Sequence, residues 1–498
     1  MEHFDLVVIG SGPAGFSAAM RGLDFGKNVC IIEKNQIGGA GIMNGALTSK
    51  TMWELSHDFA VANSVDRGYR ASSLIVDYKK VRKTVLQAAK DKQYQILSQI
   101  ETFSRQRSEN GSLTLKYGSA KFNDRSSILI DNDGVLELIS GSDFVIATGS
   151  RPRTYTGIEV DQKRIVDSDG ILNLTEFPER LLIIGSGIIG CEFATIFSNF
   201  RQTQVHILDR QHRVIPMEDD DVIEFVSKNL EDNGVTIHHT ANLRAIKEEE
   251  DFIQVVLDYE DGHSKVIEVD VILIAIGRIP NIENLGLENV GIVPNSKGYL
   301  DINDYCMLSD NPKNAHFFAA GDVTGHAQLY NVAEHQGRSA IESIYASTAY
   351  ESHYRSMATL MFFKPELAAV GQNEKSLQKK GIAYKSVYYT SDLVNRSIAM
   401  RNTRGFVKIM ISDDEKEQIL GMRAGGPQAS AYITSVSQLI EQGARLKDIT
   451  GVVHPHPSVT EAIQDCLRVF HNSSIHKPLA FPNFIKMTKW KPADPMME

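Results

Sequence analysis

Two short stretches carry glycines at a spacing that could hold a phosphate-bearing cofactor: Gly10-Ser11-Gly12-Pro13-Ala14-Gly15 and Gly185-Ser186-Gly187-Ile188-Ile189-Gly190. Glycines there let the chain turn tightly and bring its backbone up to a pyrophosphate. A helix starting at the turn aims unpaired N–H groups at that anion. Phe4 to Ile9 leads into the first turn, and Glu33 closes the next apolar run, Val29-Cys30-Ile31-Ile32. Leu181 to Ile184 leads into the second, and Asp209 closes the run Val205 to Leu208. An acid at the end of the second strand can accept bonds from ribose hydroxyls. Two complete units read as two dinucleotide sites, a redox relay with a held flavin and a diffusible nicotinamide. Asp209 favours NADH, because a carboxylate repels a 2′-phosphate, whereas Arg210 and Arg213 pull the other way.

The elements that must position these residues follow from periodicity. Each turn should be flanked by a strand and a helix, the first helix over Phe16 to Phe25 and the second from Cys191. Val81, Val85, Ala89, Ile96 and Ile100 predict a long amphipathic helix laid on the first domain as scaffolding. From Ser112 to Asp133, short alternating strands predict a small antiparallel meander. Ala147-Thr148-Gly149-Ser150-Arg151-Pro152 and Ile272 to Pro280, with Gly277, read as an outward and a return domain crossover. Beyond about residue 350 come strands, two helices and a polar tail. Its prolines, Pro478, Pro482, Pro492 and Pro495, argue against a regular helix or central strand.

Composition narrows the classes. The chain has 498 residues and a net charge of −10, from 52 Lys+Arg and 62 Asp+Glu, which argues against nucleic acid as the main partner. No apolar run approaches the ~18 residues of a membrane span, and Met1-Glu2-His3-Phe4 lacks the basic start of a secretory signal. Four cysteines, Cys30, Cys191, Cys306 and Cys466, lie far apart in sequence, so neither a disulfide framework nor a metal site is expected. A reducing, cytoplasmic setting is the expectation. Cys30, in an apolar strand, is expected to be buried and inert.

With these motifs stand Phe317-Phe318-Ala319-Ala320-Gly321-Asp322, Pro365 to Gly371, and His454-Pro455-His456-Pro457-Ser458-Val459-Thr460-Glu461. Together, from about residue 4 to about residue 470, the chain resembles the FAD-dependent pyridine nucleotide–disulfide oxidoreductases, which include dihydrolipoamide dehydrogenase, glutathione reductase, mercuric reductase and soluble transhydrogenase. The resemblance implies an α/β fold with two Rossmann-like FAD- and NAD(P)-binding domains plus a C-terminal α+β dimerisation domain. It implies an FAD domain over 1–152 and 278–350, an NAD(P) domain over 153–277, an interface domain over 351–472 that forms a homodimer, and a tail over 473–498. Cofactor-binding positions are then expected at Gly10, Gly12, Pro13, Ala14, Gly15, Glu33, Lys34, Gly39, Lys50, Thr148, Gly149, Gly185, Gly187, Gly190, Asp209, Gly277, Gly321 and Asp322. Lys50 matches the lysine beside the flavin and Glu192 its carboxylate partner. His456, oriented by Glu461, matches an acid–base histidine supplied by the partner subunit. His454 reads as local structure.

The chain also departs from the family. Two cysteines with four residues between them should follow the Gly-Gly step. Here Gly38-Gly39-Ala40-Gly41-Ile42-Met43-Asn44-Gly45-Ala46-Leu47-Thr48-Ser49-Lys50 puts Gly41 and Ala46 in their places, and Thr48 where a proline is usual. Neither residue can form a thiolate or a mixed disulfide. Electrons from NAD(P)H should therefore leave the flavin directly, to a quinone or similar small molecule. Other outcomes are a soluble pyridine nucleotide transhydrogenase, a dihydrolipoyl dehydrogenase-like protein by similarity only, or a non-catalytic flavin redox sensor. The His456–Glu461 pair reads either as proton delivery to the acceptor or as an interface pair left after thiol chemistry was lost. Met43 and Trp53 are candidates to fill the space of the missing thiols.

Overall fold

The computed structural model describes residues 1–64, 68, 73–105, 111–308, 316–347 and 354–493. The expected bound between residues 350 and 351, and Pro495, lie outside them. The chain forms two compact units, Met1–Ile184 with Val269–His353 and Gly185–Glu268 with Tyr354–Glu498.

In the first unit, the strand Glu2–Ile9 runs parallel to Asn28–Glu33 on one side and Val135–Ile146 on the other, with Val7 opposite both Cys30 and Phe144. Leu6, Val7 and Val8 are fully buried, as expected where both faces of a parallel sheet are covered. Phe317–Ala319 adds in parallel to Val135–Ile146, which carries the Phe-Phe-Ala-Ala-Gly-Asp stretch to the same sheet end as the first glycine turn. The helix Tyr78–Arg105 buries Tyr78, Val85, Ala89, Ile96 and Ile100. Ile96 and Ile100 join the core of Leu6, Val8 and Ala18, so this helix lies on the first domain as its period predicts.

The meander is smaller than predicted. Ser119–Asp124, Ser127–Asn132 and Val135–Ile146 are antiparallel neighbours, but Ser112–Tyr117 pairs in parallel with Asn28–Glu33. The chain changes direction at Gly118, whose φ of +143° suits glycine and where a Cβ would meet Ile130 Cγ2 at 2.7 Å. The two crossovers meet: Ser150–Pro152 pairs antiparallel with Arg278–Pro280. Beyond them Ile165–Asp167, Val271–Ile274 and Arg180–Ile184 run parallel, the last leading to the second glycine turn.

In the second unit, Gln204–Leu208 and Thr236–His238 are parallel neighbours. The C-terminal part is an antiparallel sheet of Ala358–Met361, Leu367–Gly371, Ile419–Gly425, Phe406–Ser412, Tyr384–Thr390 and Ile485–Trp490, in that order. The helices Ala429–Glu441 and Glu461–Phe470 share its core through Val436, Cys466 and Leu467. The expected tail is more regular than its prolines suggest. Between Pro482 and Pro492, Ile485–Trp490 forms an edge strand, where no proline interrupts the ladder. Among the described residues, no helix is long and apolar enough to cross a membrane, and no His/Cys/Asp/Glu group could hold a metal ion.

Candidate cofactor and active site

The first glycine turn is built for close approach. Gly10 has φ +105°, and a Cβ there would lie 2.4 Å from Ala147 O; its N–H donates to Ile32 O at 2.8 Å. The helix Pro13–Asp24 starts with proline in its first turn and has no side-chain cap at Gly12. Its first N–H groups are therefore left for an anion. Gly15 lets this helix rest on the turn, since a Cβ would meet Gly10 O at 1.9 Å. Gly39 also comes close to Gly12, its hypothetical Cβ lying 3.0 Å from Gly12 Cα. Glu33 is buried, and its Oε2 accepts from Ser11 N at 2.8 Å and Ser11 Oγ at 2.7 Å, while Oε1 accepts from Asn35 N at 2.8 Å. Lys34 beside it is exposed.

Asp322 follows Gly321, whose φ is +82° and whose N–H donates to Gln336 Oε1 at 2.7 Å. Ser150 Oγ donates to Asp322 Oδ2 at 2.5 Å, and Arg278 Nε lies 3.9 Å away. Burial raises the Asp322 pKa, opposed by the Ser150 hydrogen bond and Arg278. Thr148 and Asn281 exchange two hydrogen bonds, Thr148 Oγ1 to Asn281 O at 2.7 Å and Asn281 Nδ2 to Thr148 O at 2.9 Å. Asn281 N also donates to Gly149 O at 3.0 Å. A cradle that side chains would fill, an uncapped helix start and a buried carboxylate at the strand end fit the pyrophosphate and ribose of a dinucleotide such as FAD.

Sequence reasoning missed Ser150, Asn281 and Gln336. Gln336 had a readable signal, being the one amide on the buried stripe of Val332, Ala333, Gln336, Gly337 and Ala340. Asn281 and Ser150 had none, because their roles depend on the pairing of two crossovers far apart in sequence.

The segment of the missing thiols is closed at Gly41. It lies in the short helix Gly39–Met43, and a Cβ there would meet Pro13 Cγ at 2.9 Å and Tyr330 Cδ2 at 3.0 Å. Pro13 and Tyr330 lie nearest to position 41. Trp53 is buried and stacks on His57, with centroids 5.0 Å apart and planes at 17°. Lys50, on the helix Ala46–Ala62, is partly buried with Nζ 3.4 Å from Ser49 Oγ. Cys30, Cys191, Cys306 and Cys466 are all buried. Burial pushes the Cys30 thiol up to about 12 and raises those of Cys191 and Cys466 further.

The second turn repeats the first. Gly185 donates to Leu208 O at 3.2 Å, and the helix Ile188–Phe200 starts from an extended, uncapped Gly187, with Gly190 buried. Asp209 is 2% exposed. Its Oδ1 accepts from Ser186 Oγ at 2.8 Å and Gln211 N at 3.0 Å, and burial raises its pKa. Arg210 is exposed, and Arg213 is paired with Asp220. Glu192 is buried, and its Oε1 accepts from Phe362 N at 3.1 Å. Lys50 and Gly277 belong to the first unit, and Glu192 and Asp209 to the second. Gly277 has φ +104° with open space at its Cβ position.

His456 and Glu461 are brought together. His456 Nδ1 lies 2.7 Å from Glu461 Oε1, and Glu461 Oε2 accepts from Ser458 N at 2.9 Å. The carboxylate keeps the proton on Nδ1 and leaves Nε2 free to exchange one. The imidazole is 61% exposed in the single chain. His454 is partly buried, which lowers its pKa.

Comparison with known proteins supplies the family context. Residues 4–337 match the model of pyridine nucleotide-disulphide oxidoreductases, and residues 357–467 match the dimerisation domain of the same family. A dihydrolipoyl dehydrogenase of Geobacillus stearothermophilus is 29% identical over 473 residues, covering 95% of this chain and 97% of its own. Dihydrolipoyl dehydrogenase 3 of Haloarcula marismortui is 30% identical over 481 residues, covering 95% and 98%. Among solved structures, the HOCl-induced flavoprotein disulfide reductase RclA of Escherichia coli superposes with a TM-score of 0.81 at 24% identity, covering 94% of this chain and 99% of its own. LpdA of Mycobacterium tuberculosis gives 0.83 at 23%, with the same coverage. At these identities the two structures speak to the fold.

Proposed function

The chain belongs to the pyridine nucleotide-disulphide oxidoreductase family, and from that premise we propose that it passes hydride from NAD(P)H to FAD and then directly to a non-disulfide acceptor, a quinone or similar small molecule. The family uses FAD and NAD(P)H, and this chain is a flavin-dependent oxidoreductase with its α/β fold, two Rossmann-type domains and a C-terminal dimerisation domain. The observation that carries the acceptor reading is Gly41. It supplies no thiol, and a Cβ there would press on Pro13 and Tyr330. With Ala46 in the second position and all four cysteines buried, no dithiol is available to receive electrons.

When bound, the flavin supplies the centre that takes hydride from the nicotinamide and gives it to the acceptor. The residues have separable tasks. The turn at Gly10, Gly12 and Gly15 with Glu33 holds the pyrophosphate and ribose of FAD, and Asp322 meets its ribityl chain. By the family resemblance, Lys50 would bring positive charge to the reacting ring, with Glu192 its carboxylate counterpart. The turn at Gly185, Gly187 and Gly190 takes the nicotinamide dinucleotide, and Asp209 favours NADH. Quinone reduction consumes a proton with each hydride, and His456 Nε2, oriented through Nδ1 by Glu461, delivers it.

The matched dimerisation domain supports a homodimer in which His456 serves the partner's site. The domain bounds follow the family pattern, 1–152 with 278–350, then 153–277, 351–472 and the tail 473–498, in a cytoplasmic protein. Parallel assays with menadione, an NADP⁺ analogue and lipoamide test the reading. Menadione should turn over fastest and lipoamide should stay at background. Lipoamide turnover comparable to the quinone rate would refute it, and dominant reduction of the NADP⁺ analogue would make the enzyme a transhydrogenase.

A further inference from the structure

Asp209 presents one carboxylate oxygen that its neighbours do not satisfy. Oδ1 is taken by Ser186 and Gln211. Oδ2 is buried and has no hydrogen-bond partner among the described residues. His239 Nδ1 faces it at 3.5 Å, an ion-pair distance too long for a well-formed hydrogen bond, and against the burial that raises the Asp209 pKa its contact and charge act to lower it. The backbone holds the two in place. Asp209 N donates to His238 O at 3.0 Å, and Ala241 N donates to Asp209 O at 3.2 Å. Thr240, with φ +49°, fixes the turn that points His239 back at the acid. The imidazole is 33% exposed, so protons from solvent reach it.

We propose that His239 is a positioning residue that sets the choice between NADH and NADPH: its imidazolium, 3.5 Å from Asp209 Oδ2, offsets the carboxylate charge that excludes a 2′-phosphate. The proposal deepens the functional reading and rests on Asp209 meeting the adenosine ribose. With His239 neutral, a bare carboxylate faces the 2′-position and NADPH is rejected. With His239 charged, the pair is close to neutral, and the exposed Arg210 can attract the phosphate. Protonation of the imidazole therefore makes the selectivity pH-dependent, with NADPH favoured on acidification.

Other titratable groups surround the pair. On the two strands, burial lowers the pKa of His206 and lowers that of His238 to about 4, so burial disfavours a charge on either. Tyr259, hydrogen-bonded to His238 at 2.6 Å, and Cys191, on the helix Ile188–Phe200 that precedes these strands, are both raised by burial. Lys265 lies on the neighbouring strand and acts on His206 and His238 through its charge. Arg213 is held by Asp220, and His212 lies 3.7 Å from Glu260 at the surface. The 2′-phosphate itself takes up a proton near pH 6. His212 and the phosphate contribute equally in a variant at position 239, so the comparison with that variant isolates His239.

The test is calorimetric binding of 5′-AMP and 2′,5′-ADP to the FAD-loaded protein at several values between about pH 5.5 and pH 8.5. In the unaltered protein, preference for 2′,5′-ADP should grow on acidification by about fivefold more than in His239→Asn. His239→Lys should keep the acid-side preference across the range. Equal pH slopes in the unaltered protein and His239→Asn would overturn the proposal. Asp209→Asn separates the two levels. If it leaves the ratio unmoved, the ribose is not at Asp209 and the underlying reading fails. If it moves the ratio while both His239 variants do not, only the His239 proposal fails.

Discussion

A Cβ placed on Gly41 would lie 3.0 Å from Cδ2 of the Tyr330 ring, so a side chain at this position, where the family resemblance leads one to expect a redox cysteine, meets the ring from across the fold. Pro13 closes it from a second side at 2.9 Å. Tyr330 is the first residue of the helix Tyr330–Tyr345 and packs with Met43 and Leu47 on one core. Installing a cysteine at 41 therefore overpacks this core, at a cost of about 1–3 kcal/mol. Gly41→Cys should lower the urea midpoint, and adding Tyr330→Ala should recover part of the loss. Strict additivity of the two substitutions would show that the ring and position 41 do not compete for space.

The same packing bears on attempts to restore dithiol chemistry. Gly41→Cys with Ala46→Cys supplies both sulfurs but leaves Tyr330 and Pro13 in place. Lipoamide reduction by this double variant should stay at least about tenfold below that of the triple variant carrying Tyr330→Ala. Equal rates would mean that the missing thiols alone, and not the filled space, had removed the activity.

Much of this was legible in the sequence, and the reasons are physical. Glycine turns, strand runs and the stripe from Val85 to Ile100 are local patterns, and the chain forms them close to where their spacing predicts, with both helices starting earlier than expected, at Pro13 and Ile188, and Val81 outside the buried stripe. The illegible parts depend on contacts between distant residues. Ser112–Tyr117 looks like any short alternating strand, and only the edge offered by Asn28–Glu33 makes it parallel. Ile485–Trp490 lies among prolines, yet it pairs because Tyr384–Thr390 has an open edge. Gln336 under Gly321, Tyr330 against Gly41 and His239 beside Asp209 follow from packing, which no local spacing encodes.

The His456–Glu461 pair separates the two halves of the proposed reaction. In that proposed reaction the 2.7 Å contact would orient the imidazole for proton delivery and have no part in hydride arrival. His456→Gln should lower quinone turnover by about a hundredfold while NADH still bleaches the flavin at its original rate. Stopped-flow absorbance measures the first half and steady-state assay the whole. A substitution that slowed both halves equally would assign His456 to structure.

Buried thiols give a prediction independent of turnover. All four cysteines are out of solvent and their pKa values are raised where resolved, so few thiolates reach a reagent. Ellman's reagent should find no rapidly reacting thiol in the native protein, none in the NADH-reduced protein, and four after denaturation. New thiols on reduction would reveal a hidden redox disulfide and contradict the direct route.

Lys408 offers a stability test with a definite pH sign. Its side chain is 2% exposed, and its Nζ reaches Asp219 at 3.1 Å, Asp221 at 2.8 Å and Glu374 at 2.9 Å. Arg423 pairs with Glu218 at 2.6 Å alongside. Burial disfavours the Lys408 charge, but the carboxylates outweigh it and raise the pKa above the ordinary lysine value. Lys408→Met should cost about 3 kcal/mol, because it leaves the buried Asp219 uncompensated, with the part-exposed Asp221 and Glu374 adding little. A folded-state pKa above the unfolded one gives stability that is complete below the unfolded value, about 10.4, and fades as pH rises towards the folded value. Urea midpoints should therefore fall more steeply above about pH 10.5 in the unaltered protein than in Lys408→Met. Parallel pH profiles would mean that Lys408 is not the charge these acids hold.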